Sequence, residues 1–126
     1  MMAAGIGCRS GVSLAEVMAC FDTALKAHEL APSDITVLAT IPARADEPAL
    51  RDAAKLLQLP ITIPSHTELT SAQTLTSSDM SRNVTGLASA SEAAALAAAG
   101  QGSVLLGPRH VVGNVTCAIA TSKETP

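Results

Sequence analysis

The chain has 126 residues, 48% of them hydrophobic and 15% charged, and a formal net charge of −3. It is long enough for one domain with its own core and too apolar for a disordered chain. A single Phe and no Tyr or Trp leave no stacking platform for single-stranded nucleic acid, and an acidic chain with scattered Lys and Arg is a poor partner for the duplex.

Ala3–Cys8 is short and apolar and reads as a first strand. The run Gly5-Ile6-Gly7-Cys8-Arg9-Ser10-Gly11 ends it in a glycine turn. Ser13-Leu14-Ala15-Glu16 then has the Ser-x-x-Glu form of a capping box. It opens a helix over about Leu14 to His28, with Leu14, Val17, Met18, Phe21, Ala24, Leu25 and His28 on one stripe. Backbone N–H groups of such a turn meet the positive end of the helix dipole, which favours an anion. Arg9 adds a forked cation. The third glycine comes one residue late for a dinucleotide fingerprint, and no Gly-Lys-Ser/Thr follows to make a P-loop. The alternative is a glycine-rich connection with no ligand.

Ala31-Pro32-Ser33 breaks the helix. Ile35–Ile41 is rich in β-branched residues and predicts a buried strand, closed by Pro42. Asp46 is expected to cap a second helix, with Pro48 in its first turn and Leu50, Ala53, Ala54 and Leu57 facing the core. The prolines around Ile61-Thr62-Ile63 suggest a short strand near an edge. Ser65-His66-Thr67-Glu68 is a second capping box, and polar Gln73–Thr85 reads as a lid or as a strand plus loop.

Ser89-Ala90-Ser91-Glu92, a third capping box, opens an alanine-rich helix over Ala90–Ala99 that Gly100 ends. Its thin face should lie close against a neighbour. Ser103–Leu106 and Val115–Thr121 are strands, with Gly107–Gly113 a turn or loop between them. In the last strand Val115, Cys117 and Ile119 alternate against Thr116, Ala118 and Ala120. The alternation of strands and helices predicts an α/β fold over residues 1–126: a single-domain layered α/β sandwich with a mixed, mostly parallel sheet, its last two strands a hairpin.

No apolar stretch is long enough to span a membrane, and the N-terminus lacks the regions of a secretory signal. Cys8, Cys20 and Cys117 are odd in number and widely spaced, which suits free thiols in a reducing cytoplasm.

Ligands of open parallel sheets bind outside the carboxyl ends of the strands. Three predicted strand ends carry arginine here: Arg9, Arg44 and Arg109. If those strands are parallel, three guanidinium groups converge on one rim and suit a ligand with several anionic groups. Asp46 and Glu47 beside Arg44 are candidate acids or bases, against a plainer reading as a helix cap and a dipole partner. Cys8 sits where a helix start and Arg9 can lower a thiol pKa, but no His partner is readable, and a small buried residue is the plainer reading. His28, His66 and His110 have no metal-ligand spacing, so no metal site is expected, and His28 on the apolar stripe reads as structural.

The motifs together resemble the CobE/CbiG C-terminal domain family of cobalamin biosynthesis. The resemblance rests on Gly5-Ile6-Gly7-Cys8-Arg9 with Gly11, and on Arg44-Ala45-Asp46-Glu47-Pro48-Ala49-Leu50. It rests also on Gly86 followed by Ser91-Glu92-Ala93-Ala94-Ala95-Leu96, and on Leu105-Leu106-Gly107-Pro108-Arg109 with Asn114-Val115-Thr116-Cys117-Ala118-Ile119-Ala120. The family often has Lys at the Arg44 and Arg109 positions; the charge is kept, though only Arg makes forked contacts. The chain looks like the family's stand-alone form, without the N-terminal sequence of longer members associated with opening a lactone on a cobalt-precorrin. The resemblance implies a cytoplasmic accessory protein that binds a polycarboxylate corrin-ring precursor, as carrier or chaperone, with no cofactor of its own. The implied binding residues are Gly7, Cys8, Arg9, Ser10, Arg44, Arg109 and Asn114. Two alternatives stand beside it: a hydrolase acting on a precorrin lactone through Asp46 or Glu47, and a docking module for other enzymes of the pathway.

Overall fold

In the computed structural model, residues 2–65, 90–100, 103–107 and 109–122 are described. β1 (Met2–Cys8) lies at the centre of the sheet and is buried along almost its whole length. Small side chains there, at Ala3 and Gly5, let a helix approach closely on one side. β2 (Val37–Ala39) and β3 (Ile61–Thr62) follow it in parallel, and β3 forms one edge, as the flanking prolines require. On the other side of β1 comes β6 (Val115–Ser122), antiparallel, from Met2 opposite Thr121 to Cys8 opposite Val115.

β4 (Ser103–Leu105) and β5 (His110–Val112) both pair antiparallel with the far side of β6. Among the described residues, five strands therefore run one way and β6 alone runs the other. The sheet is mixed, with the hairpin expected at its end. Part of Gly107–Gly113, read from sequence as a loop, is in fact β5. The hairpin turns through Gly113 and Asn114, and Gly113 has φ +58°, the positive value that a two-residue turn with glycine first uses. Between Leu105 opposite Ala120 and His110 opposite Cys117, the edge advances five residues while β6 advances three. The two extra residues form a bulge between β4 and β5.

α1 (Leu14–Ala27) is capped as predicted: Glu16 N–H donates to Ser13 Oγ and Ser13 N–H donates to Glu16 Oε1, at 3.1 and 3.0 Å. With α2 (Pro48–Leu57) it covers one face of the sheet, burying Val17, Phe21 and Leu25 against Ile6, Cys8, Cys117 and Ile119. α3 (Ala90–Ala99) covers the other face over Ala3, Val37 and Ala120. A Cβ on Gly5 would collide with the backbone O of Ser91, so glycine is what lets α3 approach this closely. The α/β sandwich thus has helices on both faces of one sheet.

The expected cap of α2 is corrected. Glu47 is the N-cap residue and Pro48 occupies the first helical position, while Asp46 pairs with Arg51 Nη2 at 3.0 Å. Pro48 lacks an N–H and its fixed φ suits the first helical position, and among the described residues no side chain caps α2. The second capping box beyond Ser65, Gln73–Thr85 and Ser89 lie outside the described residues.

Candidate functional site

The carboxyl ends of β1 and β2 meet at one rim. After β1 the chain turns through Arg9, Ser10 and Gly11, the last at φ +84°, a conformation open mainly to glycine. After β2 a short 3-10 turn, Pro42–Arg44, leads to α2. Between these turns opens a cavity of about 500 Å³, lined by Ser10, Gly11, Val12, Pro42, Ala43, Arg44, Asp46, Glu47 and Pro48.

Arg44 is built into this rim. Its Nε donates to Cys8 O at 2.8 Å and one Nη to Ala43 O at 3.2 Å, which fixes the guanidinium plane across the two strand ends. The other Nη has no partner among the described residues. The glycine turn does bind an anion, and that anion is part of the protein: Gly11 N–H donates to Glu47 Oε2 at 3.1 Å. Glu47 turns its carboxylate away from the helix it begins and toward the turn after β1. Asp46 keeps its carboxylate almost wholly exposed; its pair with Arg51 is a surface one and adds little to stability.

The hairpin closes the rim on the other side. Arg9 N–H donates to Asn114 O at 3.2 Å, so the two residues are brought together through backbone. The Arg9 side chain is exposed, with no hydrogen bond or ion pair among the described residues. Gly7 and Cys8 lie buried beneath; Thr116 Oγ1 donates to Gly7 O at 3.4 Å. The Cys8 thiol is pushed up to about 11, by burial first and by the Glu47 carboxylate second, against the Arg44 guanidinium. A protonated, buried thiol is no nucleophile, which supports the plainer reading of Cys8.

Arg109 is not among the residues lining the cavity. The strand that Leu105 leaves resumes as β5, so Arg109 falls in the bulge midway along the edge. Its backbone N–H donates to the buried Glu92 carboxylate at 3.1 Å. Sequence reading placed Arg109 at a strand end because β5 was not foreseen. Glu47 as internal partner of the glycine turn was also missed, since it lies 36 residues from Gly11 and only the parallel pairing of β1 with β2 brings them together.

Residues 2–120 match the family model described as Cobalamin synthesis G C-terminus. The chain belongs to that family. Protein CobE of Sinorhizobium sp is 31% identical over 118 residues, covering 92% of this chain and 77% of the relative. Among solved structures, CobE, described as a protein from the cobalamin (vitamin B12) biosynthetic pathway, superposes with a TM-score of 0.84 at 34% identity, covering 95% of this chain and 89% of that one. The cobalamin biosynthesis protein chiG from Agrobacterium tumefaciens gives 0.77 at 39% identity, covering 98% of this chain and 100% of that one. A putative cobalamin biosynthesis protein G homolog from Sulfolobus solfataricus shares the fold, with a TM-score of 0.74 at 21% identity, and this chain spans 37% of it. The family match and these relatives make the chain a protein of cobalamin biosynthesis. Among the described residues no helix is long and apolar enough to cross a membrane.

Proposed function

We propose that the chain binds a polycarboxylate corrin-ring precursor at the carboxyl rim of β1 and β2, as a carrier or chaperone in cobalamin biosynthesis. The observation that carries this reading is the Gly11–Glu47 contact beside Arg44. A backbone donor in a glycine turn already receives a carboxylate oxygen at 3.1 Å, next to the Arg44 guanidinium, one Nη of which has no partner among the described residues. A peripheral carboxylate of the ligand would take the place of Glu47 and meet Arg44, a charge-assisted contact. Arg9, Ser10 and Asn114 border the same turn and would meet further carboxylates, while the aliphatic lining at Val12, Pro42 and Pro48 suits the apolar ring.

The test is gel filtration of the protein with a corrinoid polycarboxylate, read as visible absorbance that elutes with the protein. Wild type retains the colour. Arg44→Ala weakens retention by about 10- to 100-fold, the range for losing a hydrogen bond to a charged group. Glu47→Gln, with its competing charge gone, binds at least as well as wild type. If wild type retains no corrinoid even at low salt, the binding reading is wrong. The hydrolase reading draws on Asp46 and Glu47 both lining the cavity, neither carboxylate bonded to a backbone N–H in the first turn of α2. It predicts turnover by wild type that Glu47→Gln abolishes while the ligand still binds.

A further inference from the structure

His28 and His110 face one another across the edge of the sheet, on the opposite side of α1 from the cavity residues of α2. Their Nε2 atoms are 3.5 Å apart and their ring centroids 5.4 Å apart, with the ring planes at 74°. Both rings are half-buried. We infer that His28 and His110 form a two-histidine site for a late first-row divalent cation such as Zn²⁺ or Ni²⁺.

The geometry carries the inference. An ion about 2.1 Å from each Nε2, the usual zinc–imidazole distance, would see the two nitrogens at an angle of about 115°, close to tetrahedral. Two rings both aimed at that ion would have centroids about 5.4 Å apart, which is the separation observed. In the absence of metal one ring donates Nε2–H to the other. On binding, that proton moves to Nδ1 of its own ring, both Nε2 lone pairs point at the ion, and no proton need be lost.

The supports are rigid. His28 is the C-cap of α1, and its N–H donates to Leu25 O. The carbonyl end of a helix carries partial negative charge that favours a cation. His110 opens β5, and Cys20 of α1 donates its thiol to His110 O at 3.4 Å, which holds that strand against the helix. Gly107 in the bulge makes the room: a Cβ there would come within 3.1 Å of His28 Cε1. Among the described residues no third His, Cys, Asp or Glu joins the pair, and imidazole ligands suit zinc, nickel and copper.

The experiment is a zinc titration of the untagged chain by calorimetry and thermal melting, with His28→Gln, His110→Gln and His66→Gln alongside. One equivalent should bind, with a rise in melting temperature. His28→Gln and His110→Gln should each weaken binding at least tenfold and remove the rise, while His66→Gln changes neither. Imidazole nitrogen NMR of the wild-type chain gives a readout that needs no variant to fold: zinc should move Nε2 of His28 and His110 together. No binding at millimolar zinc, binding that only His66→Gln removes, or zinc that moves neither Nε2 would overturn the proposal.

Discussion

On the α1 face of the sheet, Ile6, Phe21, Leu38, Leu50 and Ile119 fill the space between strands and helices. On the α3 face, Ala3, Ala95, Ala99 and Ala120, with Gly5 between them, leave hardly any space to fill. The same strand, β1, serves both: Ala4, Ile6 and Cys8 point to the thick layer, Ala3 and Gly5 to the thin one. The thick layer holds through the volume of apolar side chains removed from water, about 1.5–3 kcal/mol for each large one. The thin layer holds through close approach of backbone to backbone, where many small contacts replace a few large ones. The difference teaches that the two faces tolerate opposite errors. One suffers when atoms are removed, the other when they are added.

The sharpest test of that contrast is Gly5. Gly5→Ala places a methyl against the backbone of Ser91 and Ala95, neither of which can move without shifting α3. It should cost about 4 kcal/mol or more, and Gly5→Val should yield no folded protein. A urea midpoint for Gly5→Ala within error of wild type would break the comparison.

Phe21→Ala removes the largest fully buried side chain from the thick layer. It should cost about 3–5 kcal/mol, read from the same unfolding curves. Ala95→Val, an addition to the thin layer, should cost roughly 1–3 kcal/mol. Ile119→Val, a deletion from the thick one, should cost about 0.5–1.5 kcal/mol. Should the addition prove harmless and the deletion severe, the assignment of the two faces is reversed.

A smaller effect separates the layers by pH. His110, beside α1, is held below its ordinary 6.5 by burial and then by His28. The unfolded chain therefore takes up this proton first as the pH falls. Its contribution is present above about 6.5 and lost below it. With a chelator present, wild type should lose stability between roughly pH 7 and pH 5.5, and His110→Gln should lose less. An identical loss in both would assign the acid sensitivity elsewhere.

The smallest effect is on the thiols. Burial pushes Cys8 and Cys20 up to about 11 and Cys117 higher still. All three should react slowly with a thiol reagent near neutral pH and rapidly once the chain is unfolded. Fast reaction of one thiol in the folded protein would mark a local opening of the thick layer.

Local physics was strong enough to declare much of this molecule. Ser13 and Glu16 sit three residues apart, so their capping box needs no tertiary help. The period of Val17, Phe21, Ala24 and Leu25 marks α1, and the alternation of Val115, Cys117 and Ile119 marks β6. The alanine run Ala90–Ala99 announces a helix with a thin face. The family followed from the order of such motifs along the chain, and so did the rim, because a glycine turn after a strand and before a capped helix has its N–H groups where an anion would sit.

What the tertiary structure alone decided is who fills those places. Glu47 reaches Gly11 only because β1 and β2 are parallel neighbours. Arg109 left the rim because β6 offered a further edge on which the strand could resume as β5. His28 meets His110, 82 residues away, because a bulge in that edge and the end of α1 fall at the same height. Periodicity and caps are set by neighbours within a turn or two. Pairing between distant segments depends on the register of strands, and no local pattern in a single sequence encodes that register.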